Sequence, residues 1–262
     1  MNAAQKNIFH WPEMPPLPPP GQPVLIRVAT SPSRQAARQE LRKVLRQILT
    51  AWINLAPEQL PLRETSRGLV WPGQLGGRTL DISLSYTEGE GWIGLLRDGL
   101  IGVDAMKIQQ VPEAEDVARH YLGDTVLAVI QQSLDPAMAF AVAWTEREAR
   151  LKCLKQELSE WSVTQKFAAT KCAVQNLVLP DQLIVTVATA SSPPNHGKLS
   201  LETNTAGRQS APGEILFHAA DGVGAGGFCG AGAHGCHQRP ELCRAGGLGA
   251  RERAERLHAQ SR

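Results

Sequence analysis

Glu148 and Lys152 stand four residues apart in "WTEREARLKCLKQEL", from Trp144 to Leu158, and Asp104 follows Gly102 by two in "IGVDAMK". On a helix, residues four apart share a face. An exposed Glu148/Lys152 pair would contribute about 0.3–0.5 kcal/mol, and most such pairs do nothing more. Asp104 alone is equally modest, because an aspartate at a strand end commonly just caps a turn. Two other sets of residues could do chemistry. Arg34, Arg38, Arg42 and Arg46 recur every four residues, as either a solvated face or a docking strip for phosphate or an acidic partner. His218, Cys229, His234, Cys236, His237 and Cys243 are metal-ligand types, but their six-residue cysteine gaps are not those of a zinc knuckle or finger.

The elements that must position these residues are legible from periodicity. "VLIRVA" reads as a first strand. Leu41, Val44, Leu45, Ile48, Leu49 and Trp52 form an apolar stripe at three- and four-residue spacing, so a helix is predicted from Ser33 to Trp52. "LDISLSY", "GWIGLLR" and "LIGVDAM" read as strands, the last two as a hairpin about Asp98-Gly99. Asp104 then lies near a strand end. "EAEDVARHYL" reads as a helix, and a longer one opens with Asp135 as N-cap and Pro136 at the first helical position. This second helix carries Glu148 and Lys152. "AVQNLVL" and "LIVTVATA" around Pro180-Asp181 complete the pattern as another hairpin.

Four segments follow. Residues 1–23 are a proline-rich leader, too rich in proline over 12–23 for helix or sheet and expected to be a disordered terminus. Residues 24–108 and 109–190 are two α+β halves, and 191–262 is a tail without apolar periodicity, expected to be disordered. The tail's composition is that of a GC-rich gene read in a shifted frame. With 262 residues, 42% hydrophobic and 20% charged, the chain can bury a sizeable core. A net charge of +2 gives non-specific nucleic-acid binding no global support. Without a signal-peptide pattern or an apolar run long enough to span a bilayer, no membrane role is expected and the cytoplasm is the default. Five cysteines, an odd number, suit reduced thiols.

"SLSYT" at 83–87, "IGVDAMK" at 101–107 and "FAVAWTEREARLK" at 140–152 together resemble the three motifs of the 4′-phosphopantetheinyl transferase superfamily. Phe140, Trp144, Glu148 and Lys152 sit at the family's spacings, with Arg147 where lysine is usual, and Gly102 and Asp104 fit its glycine-x-aspartate strand end. The resemblance implies a monomeric α+β pseudo-dimer with coenzyme A between the halves. It also implies Mg²⁺-dependent transfer of 4′-phosphopantetheine to a serine of an acyl or peptidyl carrier protein, with 3′,5′-ADP leaving. Asp104 and Glu148 would hold the metal, Glu148 or a metal-bound water would be the base, and Lys152 would stabilise developing charge at the phosphates or protonate the leaving phosphate. Coenzyme A contacts are implied for Ser85 and Tyr86, for Arg63, Arg67 and Gly68 in "LRETSRGL", and for Arg34 at the 3′-phosphate.

The chain departs from the family pattern in places. Met106 stands where many members carry a second acid, Tyr86 replaces the histidine that contacts coenzyme A, Ser83 replaces asparagine, and Lys155 stands where a glycine often follows the helix motif. Two competing functions remain: a catalytically silent homologue that binds coenzyme A or a carrier protein, and a metal-dependent phosphohydrolase using Asp104 and Glu148. The pathway served, whether fatty-acid, polyketide or nonribosomal peptide synthesis, is not written in the sequence.

Overall fold

The computed structural model describes residues 7–65, 68–162 and 172–191. The segment 192–262, Arg67 and all the tail cysteines and histidines named above lie outside them.

The first part of the chain forms β1 (Ile8–His10), β2 (Val24–Ala29), α1 (Arg34–Ile53), the short β3 (Arg63–Thr65), β4 (Gly68–Val70) and β5 (Gln74–Leu75), then β6 (Arg78–Thr87) and β7 (Glu90–Arg97). Five strands make one sheet in the order β1-β2-β7-β6-β5, and β3 pairs with β4. Alternation on β6 turns Leu80, Ile82 and Tyr86 to one face, where they meet the buried stripe Leu41, Val44, Leu45, Ile48 and Leu49 of α1. The predicted helix and its stripe are therefore as expected.

The second part is β8 (Leu100–Lys107), α2 (Ala114–Tyr121), α3 (Asp124–Gln132), α4 (Pro136–Cys153), β9 (Ala173–Leu179) and β10 (Leu183–Ala190). The Asp135 carboxylate accepts Met138 N–H at 2.9 Å, capping α4 as predicted. A three-stranded antiparallel sheet runs β8-β10-β9, with β9 and β10 joined through Pro180-Asp181. Leu25, Trp92 and Leu96 from the back of the first sheet pack on Ile101, Val103, Leu177 and Val185 of the second. Ala149 and Cys153 of α4 pack on the second sheet beside Ala188, and Phe140 and Trp144 join Val117, Tyr121 and Ile130 in a cluster linking α2, α3 and α4. The architecture is mixed α+β.

Two expectations are corrected. The Asp98-Gly99 pair does turn the chain, but β7 and β8 are not a hairpin, since β8 pairs along its length with β10. Asp98 alone takes a positive φ, 56°, where a type I′ turn needs two. The hairpin about Glu88-Gly89, between β6 and β7, is the real one. The leader, expected to be an unpacked terminus, is strapped down over residues 7–23. Its β1 pairs in parallel with β2, Pro15 and Pro18 are buried, Trp52 Nε1 donates to Pro15 O at 2.9 Å, and Gly21 N donates to Arg97 O at 2.8 Å. A polyproline segment repeats every three residues, so Pro15 and Pro18 share one face and can bury it without making a sheet ladder.

Candidate active site

The site begins with an edge strand that cannot be left bare. One edge of β8 bonds to β10, and the other faces the back of β6. There Ile101 N donates to Asp81 Oδ2 at 2.7 Å, Val103 N to Ser83 Oγ at 2.9 Å and Ala105 N to Ser85 Oγ at 3.1 Å. Alternate side chains of β6 thus replace a backbone ladder, satisfying N–H groups that would be costly to bury unpaired.

On β8, Gly102 and Asp104 point the same way, toward α4. A Cβ built on Gly102 would lie 1.9 Å from Ala149 O and 2.5 Å from Cys153 N. Glycine therefore lets the backbone of α4 rest on β8, and this close approach brings Glu148 and Lys152 to Asp104. Lys152 Nζ donates to Asp104 Oδ1 at 2.8 Å, to Val103 O at 3.1 Å and to Leu84 O at 3.4 Å. Ser85 Oγ donates to the same Asp104 Oδ1 at 3.0 Å. Asp104 Oδ2 is buried without a hydrogen-bond partner among the described residues.

Asp104 and Glu148 are 1% and 0% exposed. Glu148 is thus no surface decoration, and the solvated-pair reading of Glu148 and Lys152 does not hold. Burial pushes the Asp104 pKa up to about 6, and the Glu148 charge adds to the rise against the opposing pull of Lys152 and Ser85. Two carboxylates and one ammonium buried together are expensive, and an orphaned carboxylate oxygen beside a second buried carboxylate suits a hard divalent cation. Among the described residues no group of three or more His, Cys, Asp or Glu is gathered. Met106 packs instead against the apolar cluster of α2–α4. The chain offers such a cation two carboxylates, so substrate phosphate and water would supply the rest.

Around this centre, Arg34 Nε donates to the Tyr86 hydroxyl at 2.8 Å, and its guanidinium lies 5.8 Å from the Tyr86 ring centroid. Arg34 and Tyr86 thus meet on the α1 face of β6, while Ser85, Asp104 and Lys152 are joined on its opposite face, toward β8 and α4. Ser85, implied as a coenzyme A contact, is fully buried with its hydroxyl committed to Asp104 and Ala105. Arg63 is exposed on β3, whose hairpin with Gly68 is tied to α1 by the Arg42–Glu64 ion pair. No contact among the described residues joins Arg63 or Gly68 to Asp104. Phe140 and Trp144 stack at 6.1 Å, with Tyr121 edge-on to Trp144 at 6.2 Å. They anchor α4 and take no part in the site. An open cavity of about 760 Å³ between the first turns of α2 and α4 has none of Asp104, Glu148 or Lys152 in its walls.

Sequence reasoning missed Asp81 and the roles of Ser83 and Lys155. Lys155 takes φ 55° and closes α4, with its N–H on Lys152 O and Gln156 N–H on Leu151 O. That is a left-handed C-terminal cap, where glycine is the default. Lys155 Nζ then reaches Asp81 Oδ2 at 2.9 Å. The signal was present in the family's usual glycine.

Residues 100–183 match the family model described as 4′-phosphopantetheinyl transferase superfamily. The match runs from β8 to the start of β10, less than half of the chain, and takes in Asp104, Glu148 and Lys152. The match bears out, over this segment, the resemblance read from the motifs at 101–107 and 140–152; the motif at 83–87 lies before it. No curated protein matches the chain. No helix of the described residues is long and apolar enough to cross a membrane.

Proposed function

We propose that the protein transfers the 4′-phosphopantetheine group of coenzyme A to a serine of an acyl or peptidyl carrier protein, acting as a cytoplasmic monomer with Mg²⁺ held by Asp104 and Glu148. The observation that carries this reading is the convergence of two buried carboxylates, one with an unpartnered oxygen, and Lys152 inside the family-matched segment. Buried like charges raise one another's pKa and are retained against stability chiefly where chemistry needs them. Mg²⁺ bound there would neutralise pyrophosphate charge and draw electron density from the phosphorus attacked. The carrier serine oxygen bonds to the β-phosphorus of coenzyme A, its proton passes to Glu148, and the bond to 3′,5′-ADP breaks. Lys152, the member of the trio that touches solvent, balances charge on Asp104 and beside the phosphates. Coenzyme A lies between the 24–108 and 109–190 halves, with Arg34 and Tyr86 on its phosphates and Arg63, Arg67 and Gly68 on the same ligand.

Tyr86 in place of histidine favours a second reading, a silent homologue that binds coenzyme A without transfer. Incubation with coenzyme A, Mg²⁺ and apo-carrier proteins of fatty-acid, polyketide and nonribosomal peptide type decides between them. The mass gain of one phosphopantetheine on the carrier is the expected result. Retained binding of coenzyme A with no gain on any carrier would favour the silent homologue, and inorganic phosphate released from coenzyme A would indicate a phosphohydrolase.

A further inference from the structure

We propose that Ser85 is a positioning residue that sets the plane of the Asp104 carboxylate and so keeps one oxygen free for a cation, an inference that rests on the metal reading of Asp104 and Glu148. Ser85 is fully buried and bonds twice, accepting Ala105 N–H at 3.1 Å and donating to Asp104 Oδ1 at 3.0 Å. A backbone N–H can only donate and a hydroxyl carries one hydrogen, so the direction of the relay is fixed: Ala105 to Ser85 to Asp104. Lys152 holds the same Oδ1. With both donors on Oδ1, Oδ2 is left buried and unpartnered. The terminal torsion of an aspartate is soft. Without the Ser85 donor, the carboxylate would turn until both oxygens shared Lys152, and the free oxygen would be withdrawn.

Ser83 provides an internal control. It makes the same rung to β8, accepting Val103 N–H at 2.9 Å, and is 6% exposed, but no bond leads from it to Asp104. Ser83→Ala and Ser85→Ala each remove one buried rung of the β6–β8 contact. Only the second also releases the carboxylate.

The test uses the full chain with coenzyme A at fixed concentration and Mn²⁺ as the probe ion, its binding followed by electron paramagnetic resonance. Ser85→Ala should weaken Mn²⁺ by about tenfold or more, the usual effect of removing a partner of a metal ligand, while Ser83→Ala stays within about twofold. In turnover assays Ser85→Ala should raise the KM for Mg²⁺ and leave the KM for the carrier unchanged. If Ser85→Ala does not fold, Ser85→Cys keeps the volume with only a weak donor and should move Mn²⁺ affinity the same way. Equal Mn²⁺ affinities in the Ser83 and Ser85 variants would overturn the positioning role alone. A wild-type protein that binds no Mn²⁺ would overturn the metal reading and this inference with it.

Discussion

Gly102→Ala tests the contact on which the site depends. The added Cβ would sit 1.9 Å from Ala149 O and 2.5 Å from Cys153 N, where ordinary contact begins near 3.4 Å. Both atoms are helix backbone, so no side chain can swing aside, and α4 must retreat from β8 by about 1.5 Å, the difference between the two distances. Overpacking of this kind costs about 1–3 kcal/mol, occasionally more. The retreat also carries away Glu148, next to Ala149 in the chain, and Lys152, about one turn on, and stretches the 2.8 Å Lys152–Asp104 bond beyond hydrogen-bond reach. A displacement of about 1 Å at reacting groups can lower turnover about 100-fold. Urea unfolding followed by tryptophan fluorescence gives the stability change, and phosphopantetheine transfer per folded molecule gives the catalytic one. A variant with wild-type stability and wild-type transfer would refute the backbone contact between β8 and α4 and the account of the site built on it.

Glu148→Gln and Asp104→Ala should each abolish transfer, and Lys152→Ala should lower it by about 10²–10³-fold; circular dichroism checks that each remains folded, and undiminished rates would end these assignments. Burial holds the Asp104 pKa up at about 6, above its ordinary value of 3.8, so the fold favours its neutral form. Its contribution is present below about pH 4 and is lost as pH rises through about 6. Asp104→Asn removes this dependence, so its stability relative to wild type should improve by at most about 3 kcal/mol over that window, as measured by urea titrations at several pH values; a pH-independent difference would contradict the buried charge. At the end of α4, Lys155→Gly relieves a left-handed residue while losing a partly exposed ion pair to Asp81, whereas Lys155→Ala only loses it. Glycine should therefore be the more stable variant by about 0.5–1 kcal/mol, a ranking that thermal melts would reverse if the cap were wrong. Arg38→Glu with Arg46→Glu should raise the KM for an acidic carrier severalfold, with the defect shrinking at high salt, and a salt-insensitive KM would return that row to a solvated face.

Helices α1, α2 and α4 were legible because each carries a local signal that packing does not overrule, whereas α3 (Asp124–Gln132) was not read as a separate element. The apolar stripe of α1 and the Asp135-Pro136 start of α4 name their own elements. So did the longer strands β2 and β6–β10, and the β9–β10 hairpin is as expected, but the other pairings and the short strands β1, β3, β4 and β5 were not read. Asp98-Gly99 is a strong hairpin signal, but the strand after it joined another sheet, because pairing is settled by distant apolar faces such as Ile101, Val103, Val185 and Val187. The same limit hid the second role of β6. Asp81, Ser83 and Ser85 alternate with Leu80, Ile82 and Leu84, and alternation ordinarily means one face to the core and one to water. Here Ser83 and Ser85 are buried and Asp81 is half-buried, because the facing element is the open edge of β8, and an edge needs acceptors where a face needs apolar surface. The residues that satisfy that edge also hold the site. Ser85 fixes Asp104, Asp81 receives Lys155 from the end of α4, and Gly102 admits the helix that carries Glu148 and Lys152. The serine-rich strand, the glycine-x-aspartate strand and the glutamate–lysine helix, three separate motifs in the sequence, are therefore one packing unit. A change in any of them should be felt at the Asp104 carboxylate.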